Sequence, residues 1–113
     1  MDQKLRPEMK IRRGPDFRLV LKKGKKRRSR RFTLYVMADT GGPTRVGVIA
    51  SRKSGNAVKR NRAKRLVREA FRKNRDIMPV ESDVVVIAGR SMADAEQKEI
   101  EKAFLDALGS AHG

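Results

Sequence analysis

Side chains able to act as acid, base, nucleophile or metal ligand are few in this sequence and poorly placed to act together. There is no cysteine, which removes thiolate nucleophiles, thiolate zinc sites and disulfide scaffolds. The single histidine, His112, stands beside Gly113. Phosphodiester or peptide hydrolysis needs a positioned acid–base pair or a metal-held nucleophile. The acids among residues 1–75 are Asp2, Glu8, Asp16, Asp39 and Glu69, and no two share a helical or motif spacing. No HExxH, Gly-rich phosphate loop or Ser/His/Asp set is present. No catalytic residue is expected within the chain.

Cations are the abundant reactive group. The 113 residues carry 29 Lys+Arg against 13 Asp+Glu, a formal net charge of +16. Residues 1–75 hold 26 of the cations and 5 of the acids, while residues 76–113 hold 3 cations and 8 acids. Solubility needs far less charge and no such asymmetry. A field of this size attracts a polyanion and releases its condensed counterions. A membrane surface would call for bulky apolar residues beside the basic helix, but aromatics are 4% of the chain. No apolar run approaches the roughly 20 residues of a membrane span, and no signal-peptide core is visible. Nucleic acid is the favoured partner.

The elements that carry these charges follow from periodicity. Length and the absence of linkers or repeats indicate one domain over 1–113, with residues 1–12 as a flexible N-terminal segment. Asp16 is placed to cap a short helix with Phe17, Val20 and Leu21 on one face, stopped at Gly24. The run KKGKKRRSRR, Lys22 to Arg31, reads from composition as a disordered basic arm. Arg31 to Ala38 alternates as a strand, with Phe32, Leu34 and Val36 on one face and Thr33, Tyr35 and Met37 on the other. After a turn at Gly41 to Pro43, Arg45 to Ala50 reads as the returning strand of an antiparallel hairpin. Asp83 to Ala88 (DVVVIA) is a continuous apolar run after its first residue and belongs inside a sheet. A helix over Ala93 to Leu108 is given a capping signal by Ser91 and Asp94 and a stop by Gly109. The class is α+β, with three helices and three or four strands.

Asn56 to Arg75 is the most informative helix. At about 100° per residue, Ala63, Leu66, Val67, Ala70 and Phe71 form one face. Asn61, Arg65, Arg68 and Arg72 fall opposite, and Arg60 and Arg62 flank them. Rows of like charge destabilise an isolated helix, and Glu69 is the single acid in the segment. Phosphates would supply the missing negative charge, and planar guanidiniums suit them.

The run RVGVIASRKSGNAVKRNRAKRLVREAFR, Arg45 to Arg72, strongly resembles the signature of the bacterial ribonuclease P protein subunit. The matching positions are Ser51-Arg52-Lys53-Ser54-Gly55-Asn56-Ala57-Val58 in a loop, then Arg60-Asn61-Arg62-Ala63-Lys64-Arg65 on the helix. Asp16-Phe17, Gly24, the aromatic-bearing strand 32–35 and the apolar strand 84–88 extend the resemblance over most of the chain. It implies the order α-β-β-β-α-β-α, a mostly antiparallel central sheet, a left-handed β-α-β crossover, and a short strand at Lys26 to Arg28. It also implies a subunit of a ribonucleoprotein endoribonuclease that removes the 5′ leader of precursor tRNA, in which RNA is the catalyst. The implied partners are ribonuclease P RNA and precursor tRNA, in the bacterial cytoplasm, with no membrane and no small-molecule substrate. Mg²⁺ would be held mainly by RNA, none by the protein itself.

Under that resemblance Arg52, Lys53, Asn56, Arg60, Asn61, Arg62, Lys64, Arg65, Arg68 and Arg72 face the ribozyme RNA. Phe17, Tyr35 and Leu21 line a cleft for the single-stranded leader. Leu21 stands where the family often has a second aromatic. From the residues alone, Tyr35 and Phe17 are each either a stacking platform or a core aromatic. Three rivals remain: a ribosomal protein or RNA chaperone, a nucleoid-type DNA binder, and a stand-alone nuclease. The charge excess also carries a stability expectation, because self-repulsion opposes compaction in so small a domain. Sulfate should raise the thermal midpoint more than chloride at equal ionic strength, and identical melts would contradict it.

Overall fold

The computed structural model describes residues 6–112. Three helices and four strands follow in the order α1 (Gly14–Lys23), β1 (Lys25–Arg28), β2 (Phe32–Met37), β3 (Arg45–Ile49), α2 (Ala57–Lys73), β4 (Asp83–Ala88) and α3 (Gln97–His112). The sheet order is β1-β2-β4-β3; β1 and β2 pair antiparallel, as do β2 and β4, and β3 runs parallel to β4. The expected hairpin between 31–38 and 45–50 is therefore not formed. Val84, Val85 and Val86 of β4 are fully buried. A strand apolar on both faces is most stable between two others, so β4 inserts between β2 and β3. With α2 as the crossover connection, β3 and β4 run parallel.

The basic run also departs from the composition reading. Lys25–Arg28 is a strand with all four side chains exposed, held by its ladder to β2 in place of any β propensity of its own. Helix α1 starts two residues before the expected cap, with Pro15 in its first turn, where a missing N–H costs nothing. The C-terminal helix starts later than expected. A single 3₁₀ turn occupies Met92–Asp94, and Ser91 makes no side-chain cap. Extended Ala95 breaks the chain before α3 begins at Gln97. Gly109 does not end α3, which continues to His112.

The two faces of the sheet are covered unequally. Phe32, Leu34, Val36, Val46, Val48, Val84 and Val86 pack under α2 and α3. The opposite face carries Tyr35, Met37, Val85 and Ile49, which gather around Val20 and Ile11 under α1. Of the N-terminal segment, residues 1–5 lie outside the described residues. Beyond them the chain follows the outer edge of β3, where the Ile11 N–H donates to the Val46 carbonyl at 2.9 Å.

Two features fix α1 over the sheet. Arg45 on β3 donates to both carboxylate oxygens of its cross-strand neighbour Asp83, at 2.9 and 2.7 Å, and lies 3.5 Å from Asp16 on α1. Asp83 is almost wholly buried, so removing its guanidinium would cost about 3–5 kcal/mol. Gly47 is the second feature. A Cβ there would sit 2.5 Å from the Phe17 ring and 3.0 Å from Ile11, so the bare Cα is the seat of that ring. Gly47→Ala is expected to lose roughly 1–3 kcal/mol in urea unfolding. Adding Phe17→Leu should recover part of the loss, whereas strictly additive losses would show that the ring does not rest there.

Candidate nucleic-acid interface

The loop before α2 is held by its small polar residues, which leaves its cations outward. The Ser51 hydroxyl accepts from the Lys53 N–H at 3.2 Å. Ser54 is buried and donates to the Ala88 carbonyl at 3.1 Å, tying the loop to the end of β4. Gly55 follows with φ of 116°, a conformation that strains side-chain-bearing residues. Asn56 then caps α2, its Oδ1 accepting from the Lys59 N–H at 3.0 Å. Asn56 thus has a structural duty beside any contact with RNA. Arg52 and Lys53 stand exposed between these anchors.

Along α2 the buried seam is Ala63, Leu66, Val67, Ala70 and Phe71, the face expected from periodicity. Asn61, Arg65 and Arg68 are exposed on the far side, and Lys64 is half-buried. Three further residues expected to face RNA are tied up or turned aside. Arg62 donates through Nε to the Ala93 carbonyl at 2.7 Å and through Nη2 to the Ala95 carbonyl at 2.8 Å. It clamps α2 to the turn before α3, a partner 31 residues away that helical periodicity could not show. Arg72 is paired with Glu69 at 2.6 Å, and its guanidinium holds the Glu69 carboxyl below the usual carboxylate range. The lowered folded value means that the pair stabilises at neutral pH. That contribution fades as acid titrates Glu69 from its unfolded value down through the folded one. Arg60 lies half-buried on the sheet-facing flank, with its Nε buried and unbonded among the described residues.

On the other face of the sheet, Phe17, Leu21 and Tyr35 come together in one cluster with Val20 and Val85. Phe17 forms floor more than platform, being seated on Gly47. Tyr35 remains half-exposed. Lys26 is its cross-strand partner on β1 and stands over its ring, 5.9 Å from the centroid, within cation–π range. Arg28 pairs with Thr33 on the same face. Lys26 therefore lines the cleft beside Tyr35, with Arg28 next along the same face of β1, and the composition reading missed both by treating 22–31 as an arm. Alternation along a strand is the signal that finds them.

The candidate interface thus has two parts on opposite sides of the sheet: a guanidinium row on α2 and a half-apolar cleft with a basic rim. Among the described residues no three His, Cys, Asp or Glu side chains converge as a metal cage. Among the described residues no helix is long and apolar enough to cross a membrane. The division within α2 is testable by calorimetry. Arg62→Ala should lower the thermal midpoint by several degrees, since two carbonyls lose a charged donor. Arg65→Ala should leave it unchanged or raise it by relieving repulsion. Equal loss in both variants would contradict the division.

Comparison with known proteins agrees with this geometry. A sequence model of the ribonuclease P family matches residues 5–112. The ribonuclease P protein component of Clostridium botulinum is 40% identical over 102 residues, spanning 89% of this chain and 92% of that one. That of Maridesulfovibrio salexigens is 40% identical over 87 residues, 75% of this chain and 70% of that one. The RNase P protein of Staphylococcus aureus superposes with a TM-score of 0.79 at 32% identity, covering 91% of this chain and 94% of that one. For the Thermotoga maritima protein the TM-score is 0.80 at 30% identity, with 92% and 98% covered. Fold, motif and overall similarity agree: the chain belongs to the family of bacterial ribonuclease P protein components, subunits of the ribonucleoprotein that processes tRNA.

Proposed function

We propose that the chain uses its two faces for two RNAs, the α2 face for the catalytic RNA subunit and the cleft for the 5′ leader of precursor tRNA. The observation that carries this reading is their placement on opposite sides of one sheet. Arg52, Lys53, Arg65 and Arg68 reach RNA phosphates, with Asn61 able to donate or accept between them. In the cleft Tyr35 offers a ring to one base, Phe17 and Leu21 form the apolar floor, and Lys26 and Arg28 follow the backbone. An extended single strand is held in this way, by stacking beside a positive groove. Leu21 offers apolar surface but no π face, so stacking falls mainly on Tyr35.

The chain itself supplies binding and positioning, and bond cleavage belongs to the RNA. Mg²⁺ takes its ligands from RNA phosphates, and protein cations reduce the metal needed by sharing in their neutralisation. The expected compartment is the bacterial cytoplasm. The direct test combines the protein with a bacterial ribonuclease P RNA and end-labelled precursor tRNA at limiting Mg²⁺. Leader release at the mature 5′ end is expected with this protein and not with an unrelated basic protein; equal stimulation by both would leave only generic charge.

Variants separate the two faces. Arg65→Ala and Arg68→Ala should each weaken binding to the RNA subunit and flatten the log–log salt slope by about one. Tyr35→Ala should spare that binding and reduce the preference for leader-bearing over mature tRNA by roughly tenfold. If all three variants lose the same quantity, the two-face reading fails.

A further inference from the structure

Among the described residues, Leu19, Val58, Ile77 and Val80 are large hydrophobic side chains left exposed. Ile77 and Val80 lie in the connection from α2 to β4, beside Asp76 and Glu81, and Leu19 is less than half exposed. Val58 differs in setting. It is 75% exposed in the first turn of α2, in a segment from Arg52 to Arg68 that contains no acid. On the helix it lies about 20° from Arg65 and about 60° from Asn61. It therefore belongs to the outward row and not to the buried seam. The row carries a point of apolar surface roughly 10 Å along the axis from the Arg65 position.

Whatever covers this face is polyanionic, because the surrounding cations have few acids to answer them. A polyanion that offered only phosphate would leave Val58 in water or bury it against charge. Folded RNA also presents apolar surface, chiefly the faces of bases that are unpaired and unstacked. We propose that Val58 is the apolar contact for an unpaired nucleobase of the RNA subunit, whose flanking phosphates are held by Arg65 and Arg52. The inference rests on the two-face reading above and adds a contact independent of charge. Counterion release governs the salt slope and apolar burial governs the intercept, so the two contributions are separable.

The experiment is a titration of the protein with a bacterial ribonuclease P RNA, without precursor tRNA, at several salt concentrations. Val58→Ala should bind roughly three- to tenfold more weakly at every salt concentration, with the slope unchanged. Val58→Thr, of the same shape but with a hydroxyl, should lose a similar factor, whereas Val58→Ile should bind at least as well as the parent. Val80→Ala, at an equally exposed valine outside the basic face, should change nothing. Alanine favours helix over valine, so misfolding cannot imitate the loss. Parental affinity in Val58→Ala, a changed slope, or an equal loss in Val80→Ala would each overturn the proposal. Failure of the underlying reading shows separately, as an unchanged slope in Arg65→Ala.

Discussion

Most of the architecture depends on a strand that has no polar face. β4 presents Val84 and Val86 to one side of the sheet and Val85 to the other, all fully buried. Such a strand needs neighbours on both edges and cover on both faces. The edges are met by β2 and β3, which drives the crossover through α2. One face is met by the two long helices α2 and α3, which close a continuous core. The other is met by the ten-residue α1, too short to cover four strands. Unequal cover leaves the half-buried band of Phe17, Leu21, Tyr35, Met37 and Ile49. The cleft follows from how the core is closed.

The same arrangement sorts the charges. The acids of the last third fold back onto cations of the first two-thirds: Asp83 to Arg45, Glu99 to Arg31 at 2.5 Å, and Glu101 to Lys73 at 3.5 Å. The first joins neighbouring strands, the second ties α3 to the start of β2, and the third joins α3 to α2. Arg52 and Lys53 on the loop before α2, and Arg65 and Arg68 on the α2 row, stand exposed. Paired cations thus hold elements together, while these others stand out to solvent. Arg62 and Arg72 illustrate the first group within a helix whose Arg65 and Arg68 belong to the second.

Local periodicity made α2 and β2 legible in the sequence. The seam Ala63, Leu66, Val67, Ala70 and Phe71 is buried as a 3.6-residue period requires, and β2 alternates between buried and half-buried positions. Pairing is non-local and was not legible: nothing between Arg31 and Ala50 shows that β4 will come between β2 and β3. β1 was hidden because four consecutive cations carry no strand preference and acquire their geometry from β2. The roles of Arg62 and Gly47 depend on partners distant in sequence, the carbonyls of Ala93 and Ala95 for one and the Phe17 ring for the other. Gly109 was misread as a stop because an exposed glycine can continue a helix when nothing else ends it.

If one sheet holds two RNAs apart, its two faces lie near different RNAs in the assembled ribonucleoprotein. A photo-crosslinking side chain would be placed at position 68 in one preparation and at position 35 in another, each bound to the RNA subunit and precursor tRNA. Position 68 is expected to crosslink to the RNA subunit and position 35 to the 5′ leader. Crosslinks from both positions to the same RNA, or the reverse assignment, would contradict it.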